Sequence, residues 1–373
     1  MAHDPTLYPA ARLAQARAAA ADAGMDALFI TPGADLRYLT GYAAMPLERL
    51  TCLVLPTEGE PFLVVPELER PAAEASPAVD LGVEITGWAE TEDPVALIAR
   101  RLPAGLRRVG VSNQMWAEKL LALRSALPGA EQVLVGQVLG DLRIVKSPAE
   151  IDALRRAGQA IDRVHGRMGE WLRPGRTERE VGRDIAAAIL DAGHVQVDFV
   201  IVAGGPNGAS PHAEQSDRVI RPGQPVVVDI GGTTADGYCS DSTRNYCVGE
   251  PPEEYAHYFE VLLGAQRAQT AAVRPGITAE QLDAIGRDAI TESGYGPDFL
   301  HRTGHGIGLE THEEPYIVSG SSRVLEPGMA FSVEPGIYKA GRHGARIEDI
   351  VVCTEGGGER LNLTDRDLVI LEG

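Results

Sequence analysis

The segments Val226-Val-Val-Asp-Ile-Gly-Gly232 and Asp236-Gly-Tyr-Cys-Ser-Asp-Ser-Thr-Arg244 decide the fold of this chain. Asp229 ends a valine-rich apolar run, where a carboxylate without a partner would be costly to bury. The Gly231-Gly232 pair and the Asp-Gly step after it indicate a hairpin connection that brings Asp241 alongside Asp229. Two buried carboxylates repel each other unless a cation lies between them. The pair therefore predicts either a metal site or the polar tip of a hairpin.

Composition places the chain among ordinary globular proteins, with 44% hydrophobic and 23% charged residues. A length of 373 residues exceeds what one core usually holds, which predicts two domains. The net charge of −19 makes nucleic acid and anionic membrane surfaces poor partners. The four cysteines form no Cys-x-x-Cys pattern, so we expect reduced thiols and a cytoplasmic protein. We expect neither a signal peptide nor a transmembrane segment.

Strands alternate with helices in the first part of the chain, which predicts an α/β domain over residues 1–140. The second domain, residues 141–373, is expected to open on a long helix. Ser147 would be its N-cap, Pro148 its first residue and Glu150 the partner in a capping box. The predicted helices of the first domain are 10–24, 94–102 and 117–127, and its predicted strands are 27–31, 50–55, 61–65 and 108–111.

A repeat runs through the second domain. The segment Arg173-Pro-Gly-Arg-Thr-Glu178 has a counterpart in Arg274-Pro-Gly-Ile-Thr-Ala279, and each is followed by a Gly-Arg-Asp sequence. Thr177 and Thr278 are expected to be the N-caps of corresponding helices. The repeat predicts an α+β domain built from two halves related by a pseudo-twofold axis, with a site between them. Chance similarity of the two segments is the alternative.

The second half of this domain supplies further candidate ligands. His305 lies between two glycines that allow close backbone approach, and His312 follows seven residues later. Glu334 ends a short apolar strand, and Glu348 is expected within a strand formed by residues 345–352. A single histidine or glutamate of this kind is usually structural, but the coincidence of several favours a metal site.

Four carboxylates and one imidazole make up the candidate ligand set. Hard oxygen donors with one nitrogen suit Mn²⁺, with Co²⁺ or Zn²⁺ as alternatives. So many carboxylates fit two divalent ions, about 3.5–4 Å apart, better than one. The set consists of Asp229, Asp241, His305, Glu334 and Glu348.

These residues resemble the pita-bread metallopeptidases, in particular the proline-directed branch that contains aminopeptidase P and prolidase. The resemblance covers essentially the whole chain and implies a creatinase-like N-terminal domain before the pita-bread catalytic domain. It also implies that the five residues above are the ligands of a dinuclear metal centre. His212 and His312 match two family histidines near the substrate. Tyr338 and Arg346 match the tyrosine and the arginine that surround the second pair of glutamates.

The resemblance implies a mechanism in which a water activated by the two ions attacks the scissile carbonyl. His312 would then donate to the oxyanion or position the peptide, and Glu334 would relay a proton to the proline nitrogen. Arg346 would orient a ligand carboxylate, with a surface salt bridge as the alternative. His212 would line the proline pocket or make a loop hydrogen bond.

The leading functional prediction is an Xaa-Pro dipeptidase, or prolidase, because the chain is compact. Tyr316 stands where prolidases often carry an arginine for the dipeptide carboxylate, so aminopeptidase P activity on longer proline-containing peptides is the alternative. In the N-terminal domain, Asp35 resembles a loop aspartate that reaches the substrate amine. Arg37 and Arg49 flank it and could hold a carboxylate, unless all three are exposed loop charges.

Two further classes are weighed against these peptidases. One is a hydrolase or lyase that uses the same metal centre on small metabolites, because the metals define the nucleophile and the pocket defines the substrate. The other is a binding module without catalysis, which the complete ligand set argues against. The resemblance implies a homodimer as well.

Overall fold

A computed structural model describes residues 4–372 of the chain. The chain divides into two compact units, Met1–Arg143 and Ile144–Gly373. Within the described residues, no helix combines the length and the apolar character that crossing a membrane requires.

The N-terminal unit is built on one mixed sheet of six strands, in the order β4-β3-β2-β1-β5-β6. Central strand β1 is fully buried, and helices α4 and α5 pack on the sheet through Ile98 and Leu123. The predicted α/β organisation is confirmed. The strands are β1 Ala27–Ile30, β2 Cys52–Pro56, β3 Phe62–Pro66, β4 Glu84–Trp88, β5 Arg108–Val111 and β6 Glu131–Leu134; the helices are α1 Ala11–Asp22, α2 Ala34–Thr40, α3 Arg70–Glu74, α4 Pro94–Arg101, α5 Ala117–Ala126 and α6 Gly136–Ile144.

Over residues 144–372 the second unit contains four α-helices and three sheets, with strand orders β17-β9-β8-β7, β11-β10-β12-β15-β16 and β13-β14. The helices are α7 Pro148–His165, α8 Glu178–Asp191, α9 Glu253–Ala272 and α10 Ala279–Glu292. The strands are β7 His194–Gly204, β8 Pro225–Thr234, β9 Cys239–Val248, β10 Gly304–Gly306, β11 Glu313–Ile317, β12 Ala330–Val333, β13 Gly336–Lys339, β14 His343–Arg346, β15 Asp349–Thr354, β16 Gly357–Arg360 and β17 Val369–Leu371.

The predicted caps of this unit are confirmed. Ser147 caps α7 in a capping box with Glu150, and Pro148 occupies the first turn. Thr177 and Thr278 cap α8 and α10, and each forms its own capping box. Because each cap satisfies backbone N–H groups that the first helical turn leaves without partners, these side chains fix where the helices begin.

The internal repeat is confirmed by matching contacts in the two halves. Thr177 forms an isolated antiparallel bridge with Val219, and Thr278 forms the corresponding bridge with Val324. The glycine of each Gly-Arg-Asp sequence also packs against a glutamine. A Cβ on Gly182 would lie 2.3 Å from the Gln215 side chain, which comes from a loop, and one on Gly286 would lie 2.2 Å from the Gln269 side chain, which comes from α9. At both places the absence of a side chain leaves room for the glutamine amide.

The hairpin of β8 and β9 is confirmed, but the prediction that Gly231-Gly232 forms part of its turn is wrong. Both glycines lie within β8, and the turn lies beyond them, between Thr234 and Cys239. A Cβ on Gly231 would come within 2.5 Å of the Phe199 ring. The glycines therefore allow β7 and β9 to approach β8 closely.

Candidate metal centre

The C-terminal unit contains a cavity of about 860 Å³ that gathers most of the predicted site residues. Its lining combines carboxylates and histidines with apolar side chains. The lining residues are Asp198, Phe199, Ile201, Ser210, Pro211, His212, Asp229, Asp241, Leu300, His301, Arg302, His305, Thr311, His312, Glu334, Arg346 and Glu348.

The register of β8 and β9 brings the two predicted aspartates together. Asp229 pairs with Thr243, and Gly231 pairs with Asp241, so the aspartates are diagonal neighbours on one face of the hairpin. Both are buried, at 7% and 3% exposure. Oδ1 of Asp229 is buried and has no hydrogen-bond partner among the described residues. Such an atom is costly in a folded protein unless a cation or water satisfies it.

His305 enters the same site on the short strand β10. Its backbone N–H donates to Oγ of Ser332 at 2.9 Å, and its Nδ1 lies 3.0 Å from the carbonyl oxygen of Gly306. With Nδ1 as that donor, Nε2 presents its lone pair 3.2 Å from Oε1 of Glu334 and 3.7 Å from Oδ2 of Asp241. A lone pair that faces carboxylate oxygens requires a proton or a metal ion between them.

The glycine before His305 provides a test of the packing that places this ring. A Cβ on Gly304 would lie 1.9 Å from the carbonyl oxygen of Ser332, so Gly304→Ala must displace backbone. We expect it to lower the free energy of unfolding by about 3 kcal/mol in urea titration. Gly264→Ala, on α9 with open space around it, is the control and should raise stability by up to about 1 kcal/mol. Equal stability of the two variants would contradict this account.

The two glutamates reach the site from separate elements. Glu334 follows β12 directly, as predicted, and accepts a hydrogen bond from Oγ of Ser332 at 2.9 Å. The expectation that Glu348 lies within a strand over residues 345–352 is wrong, because the chain leaves β14 at Arg346 and enters β15 at Asp349. Glu348 lies in this break. Its Oε2 accepts from Oγ1 of Thr243 at 2.7 Å.

Three overlapping groups of these side chains have ligand atoms within 4.8 Å of one another, as a metal ion requires. Burial and the neighbouring carboxylates, Glu348 first, raise the pKa of Asp241 well above its ordinary value. Burial and repulsion from Glu334 and Asp229 raise the pKa of Glu348 in the same way. Divalent cations would relieve both effects and satisfy Oδ1 of Asp229, so the residues fit such ions. The groups are Asp229–Asp241–Glu348, His305–Glu334–Glu348 and Asp241–His305–His312.

Glu334 differs from the other carboxylates. Burial acts to raise its pKa, but when His305 is protonated and donates from Nε2 at 3.2 Å, its hydrogen bond and charge outweigh burial and lower the pKa to about 2. Glu334 is therefore ionised when that proton takes the place of a cation. The charge of the imidazolium then balances the charge of Glu334.

Arg346 is buried, at 3% exposure, so the alternative of a surface salt bridge does not apply. Its Nη2 donates to Oδ2 of Asp229 at 2.6 Å, and its Nε donates to Oγ1 of Thr243 at 3.1 Å. Nη1 donates to the hydroxyl of Tyr338 at 2.8 Å and to the carbonyl of Pro211 at 3.2 Å. The guanidinium thus holds one carboxylate of the cluster in a fixed orientation.

Tyr338 lies behind the cavity and does not line it, since its hydroxyl connects Arg346 with His301. Burial raises the pKa of Tyr338 to about 12, so the hydroxyl stays protonated at neutral pH. It can donate to Nε2 of His301 at 2.9 Å while Nδ1 of His301 donates to the carbonyl of Arg302 at 2.7 Å. This chain of hydrogen bonds orders the wall beside the cluster.

His212 and His312 both line the cavity, on loops outside the sheets. The rings of His305 and His312 meet edge to face, with centroids 4.0 Å apart. Partial burial, with the charges of His305 and Arg302, lowers the pKa of His312 to about 4. At neutral pH the ring is therefore uncharged and still carries one N–H to donate.

Comparison with known proteins assigns the chain to a family. Residues 152–355 match the model of metallopeptidase family M24, and residues 12–145 match that of the creatinase/prolidase N-terminal domain. The chain belongs to metallopeptidase family M24. The family is one of metallopeptidases, which implies divalent metal ions, and the fold of this chain is the pita-bread fold with a creatinase-type N-terminal domain.

Relatives of this M24 chain align along almost its full length. A probable dipeptidase PepE of Mycobacterium tuberculosis is 53% identical, covering 99% of this chain and 98% of the relative. An Xaa-Pro dipeptidase of Lactobacillus delbrueckii subsp. lactis is 37% identical, covering 93% and 95%. The crystal structure of dipeptidase PepE from Mycobacterium ulcerans superposes with a TM-score of 0.94 at 51% identity, covering all of both chains.

Two of the three predicted substrate contacts of the creatinase-type unit, Asp35 and Arg49, pair with residues inside that unit. Asp35 lies in the first turn of α2 and pairs with Nη1 of Arg143 at 2.8 Å. Arg37 lies on the same helix and is half-buried. Arg49 pairs with Glu48 at 2.6 Å and with Glu90 at 2.5 Å. Asp35 and Arg49 are therefore already in ion pairs. Contact of Asp35, Arg37 and Arg49 with substrate stays a prediction.

His301 and Arg302 are among the residues of the M24 cavity that sequence reasoning missed. Both directly precede Thr303 and the glycine-flanked His305, and that proximity is the one signal that could have indicated them. The guanidinium of Arg302 lies over the ring of Tyr316, 4.3 Å from its centroid. Tyr316 thus stands beside an arginine from another part of the chain.

Proposed function

We propose that this M24 peptidase is an Xaa-Pro dipeptidase that depends on two divalent metal ions. The observation that carries the proposal is the convergence of four buried or half-buried carboxylates and the Nε2 of His305 on one cavity. The dipeptidase names of relatives that align with nearly the whole chain support the dipeptide substrate.

The proposed ions would supply a water of lowered pKa and polarise the scissile carbonyl. Oxygen-rich ligands with a single imidazole favour Mn²⁺, with Co²⁺ and Zn²⁺ as alternatives. The residues that would hold them are Asp229, Asp241, His305, Glu334 and Glu348.

The remaining polar residues would act on the peptide itself. Neutral His312 can donate its N–H to the oxygen that becomes negative during attack. The carboxylate of Glu334 can accept a proton and pass it to the leaving proline nitrogen. His212 lines the cavity next to Pro211 and would contact the proline side of the substrate.

Selectivity for proline would come from the apolar part of the cavity. Phe199, Ile201, Pro211 and Leu300 line it together. A pyrrolidine ring is compact and apolar, and its amide nitrogen carries no hydrogen to be satisfied. Such a surface accepts proline without leaving a buried donor unpaired.

Aminopeptidase P activity is the second candidate, because Tyr316 occupies the position where prolidases often carry an arginine. A hydrolase or lyase acting on small metabolites at the same metal centre is a less favoured alternative. The homodimer and the cytoplasmic location stay predictions, which rest on the family resemblance and on the reduced cysteines.

The test compares alanyl-proline with alanyl-prolyl-alanine, using enzyme stripped of metal and reloaded with Mn²⁺. We expect proline release from the dipeptide with kcat/KM at least about tenfold above that for the tripeptide, a difference of about 1.4 kcal/mol. Alanyl-leucine serves as the control for proline selectivity. Faster cleavage of the tripeptide would establish the aminopeptidase instead, and cleavage of neither proline peptide would overturn the proposed function.

A further inference from the structure

Arg302 is a cavity residue to which the steps above give no role. Its side chain is half-buried and lines the same cavity as the carboxylate cluster and His312. Within residues 4–372 its guanidinium forms neither an ion pair nor a hydrogen bond, and its contact is with the ring of Tyr316. A guanidinium that faces a cavity with its hydrogen-bond donors unused can bind an anion there.

The other cation of the cavity is already engaged. Arg346 donates to Asp229, Thr243, Tyr338 and Pro211, so its donors serve the cluster. Apart from histidines, Arg302 and Arg346 are the basic residues that line the cavity in the described part of this unit. Arg302 is therefore the guanidinium available to a ligand.

The backbone that carries Arg302 is held in place. Its carbonyl accepts from Nδ1 of His301 at 2.7 Å, and the N–H of the next residue, Thr303, donates to Asp283 at 3.1 Å. The ring of Tyr316, near the end of β11, supports one face of the guanidinium. Stacking uses the face of the guanidinium and leaves the N–H groups at its edge, where they match the two oxygens of a carboxylate.

The chemistry of a dipeptide defines what this group would meet. In a dipeptide the scissile bond joins its two residues, so the residue on the leaving side carries the free C-terminal carboxylate close to that bond. In a longer peptide the C-terminal carboxylate lies farther away. A carboxylate brought into the cavity without a positive partner would be unfavourable, because burial penalises its charged form.

We infer that Arg302, held on the face of Tyr316, binds the C-terminal carboxylate of the dipeptide and so selects dipeptides over longer peptides. Tyr316 then serves as the platform for an arginine supplied by the preceding loop, in place of an arginine at its own position. This inference rests on the proposed dipeptidase function.

The experiment measures kcat and KM for alanyl-proline and for its C-terminal amide with wild-type enzyme and Arg302→Gln. Loss of a charged hydrogen-bond pair should raise KM for the free acid roughly 10- to 100-fold and leave kcat within about threefold. The amide has no carboxylate, so its KM should change less than about threefold. Arg302→Lys should restore only part of the preference for the acid, because an ammonium lacks the planar fork.

Arg167→Gln is the matched control, since Arg167 also lies over an aromatic ring, that of Trp171, and stands outside the cavity. Arg167→Gln should leave KM and kcat unchanged for both the acid and the amide. Equal increases in KM for the acid and the amide in Arg302→Gln would overturn the inference. It would also be overturned if Arg49→Gln lost the preference for the acid and Arg302→Gln kept it. If the wild type cleaves alanyl-leucine faster than alanyl-proline, the proposed selectivity for proline is wrong. Arg302 is then tested by the same comparison of acid and amide, made with alanyl-leucine. If the wild type cleaves no dipeptide, both proposals fail.

Discussion

Asp241→Asn is expected to abolish peptide hydrolysis and, at the same time, to raise the melting temperature of the metal-free protein. The carboxylate lies within reach of His305, Glu348 and Asp229, where it would belong to both halves of the metal centre. An amide of the same shape keeps the packing but removes one negative charge and one strong ligand. We expect kcat/KM to fall at least about a thousandfold, which is about 4 kcal/mol of transition-state stabilisation.

The stabilisation of the metal-free form follows from the raised pKa values. Asp241 and Glu348 both have their pKa raised in the folded chain, by burial first and by neighbouring carboxylates next. The folded state therefore binds protons more tightly than the unfolded state, and stability falls as pH rises above the ordinary carboxyl range. Asp241→Asn removes one of these groups. Between about pH 4 and pH 8, the metal-free variant should therefore lose less stability than the metal-free wild type. The lower end of this range is the ordinary carboxyl pKa of about 4.

Scanning calorimetry with and without chelator measures the stability, and elemental analysis measures bound metal per chain. Asp236→Asn is the control, because Asp236 lies in the turn of the same hairpin and pairs with Arg156 away from the cavity. It should retain activity and metal. A metal-free Asp241→Asn protein that melts below the metal-free wild type would contradict the carboxylate repulsion argued here.

Local signals explain why much of this fold could be predicted from sequence. Ser147, Thr177 and Thr278 are followed by Glu or Gln three residues later, and a capping box depends only on that spacing. The Asp236-Gly237 step indicated the turn of the hairpin that brings Asp241 alongside Asp229. In each case the atoms that decide the structure are close in sequence.

The errors and omissions occurred where the deciding partner is distant in sequence. From the sequence, Gly231 is typical of a turn. The contact that requires glycine there is with the ring of Phe199 on the neighbouring strand, 32 residues away in sequence. The break between β14 and β15, where Glu348 lies, arises because β14 pairs with β13 and β15 pairs with β12. Arg302 has no motif of its own, and only the folded chain brings it to Tyr316.

Arg346→Met is expected to destabilise the protein by about 3–5 kcal/mol, because it leaves a buried carboxylate without its partner. Arg346 is 3% exposed and its guanidinium donates to Oδ2 of Asp229 at 2.6 Å, while Oδ1 of Asp229 has no hydrogen-bond partner within residues 4–372. Methionine fills the apolar volume but can satisfy neither Asp229 nor the hydroxyl of Tyr338. Urea titration of the metal-free protein measures the loss. Tyr338→Phe, which removes the hydrogen bonds of that hydroxyl to Arg346 and His301, should cost about 2 kcal/mol.

The metal affinity separates a positioning role of Arg346 from a purely structural one. If the guanidinium orients Asp229 for a cation, Arg346→Met should weaken Mn²⁺ binding about 10- to 100-fold in calorimetric titration, as loss of an outer-shell partner does. Asp229→Asn combined with Arg346→Met should then cost less than the sum of the single changes, because each single change already breaks the same contact. Additive effects, or unchanged Mn²⁺ affinity in a folded Arg346→Met protein, would mean that Arg346 supports only the packing of β14 against the cavity wall.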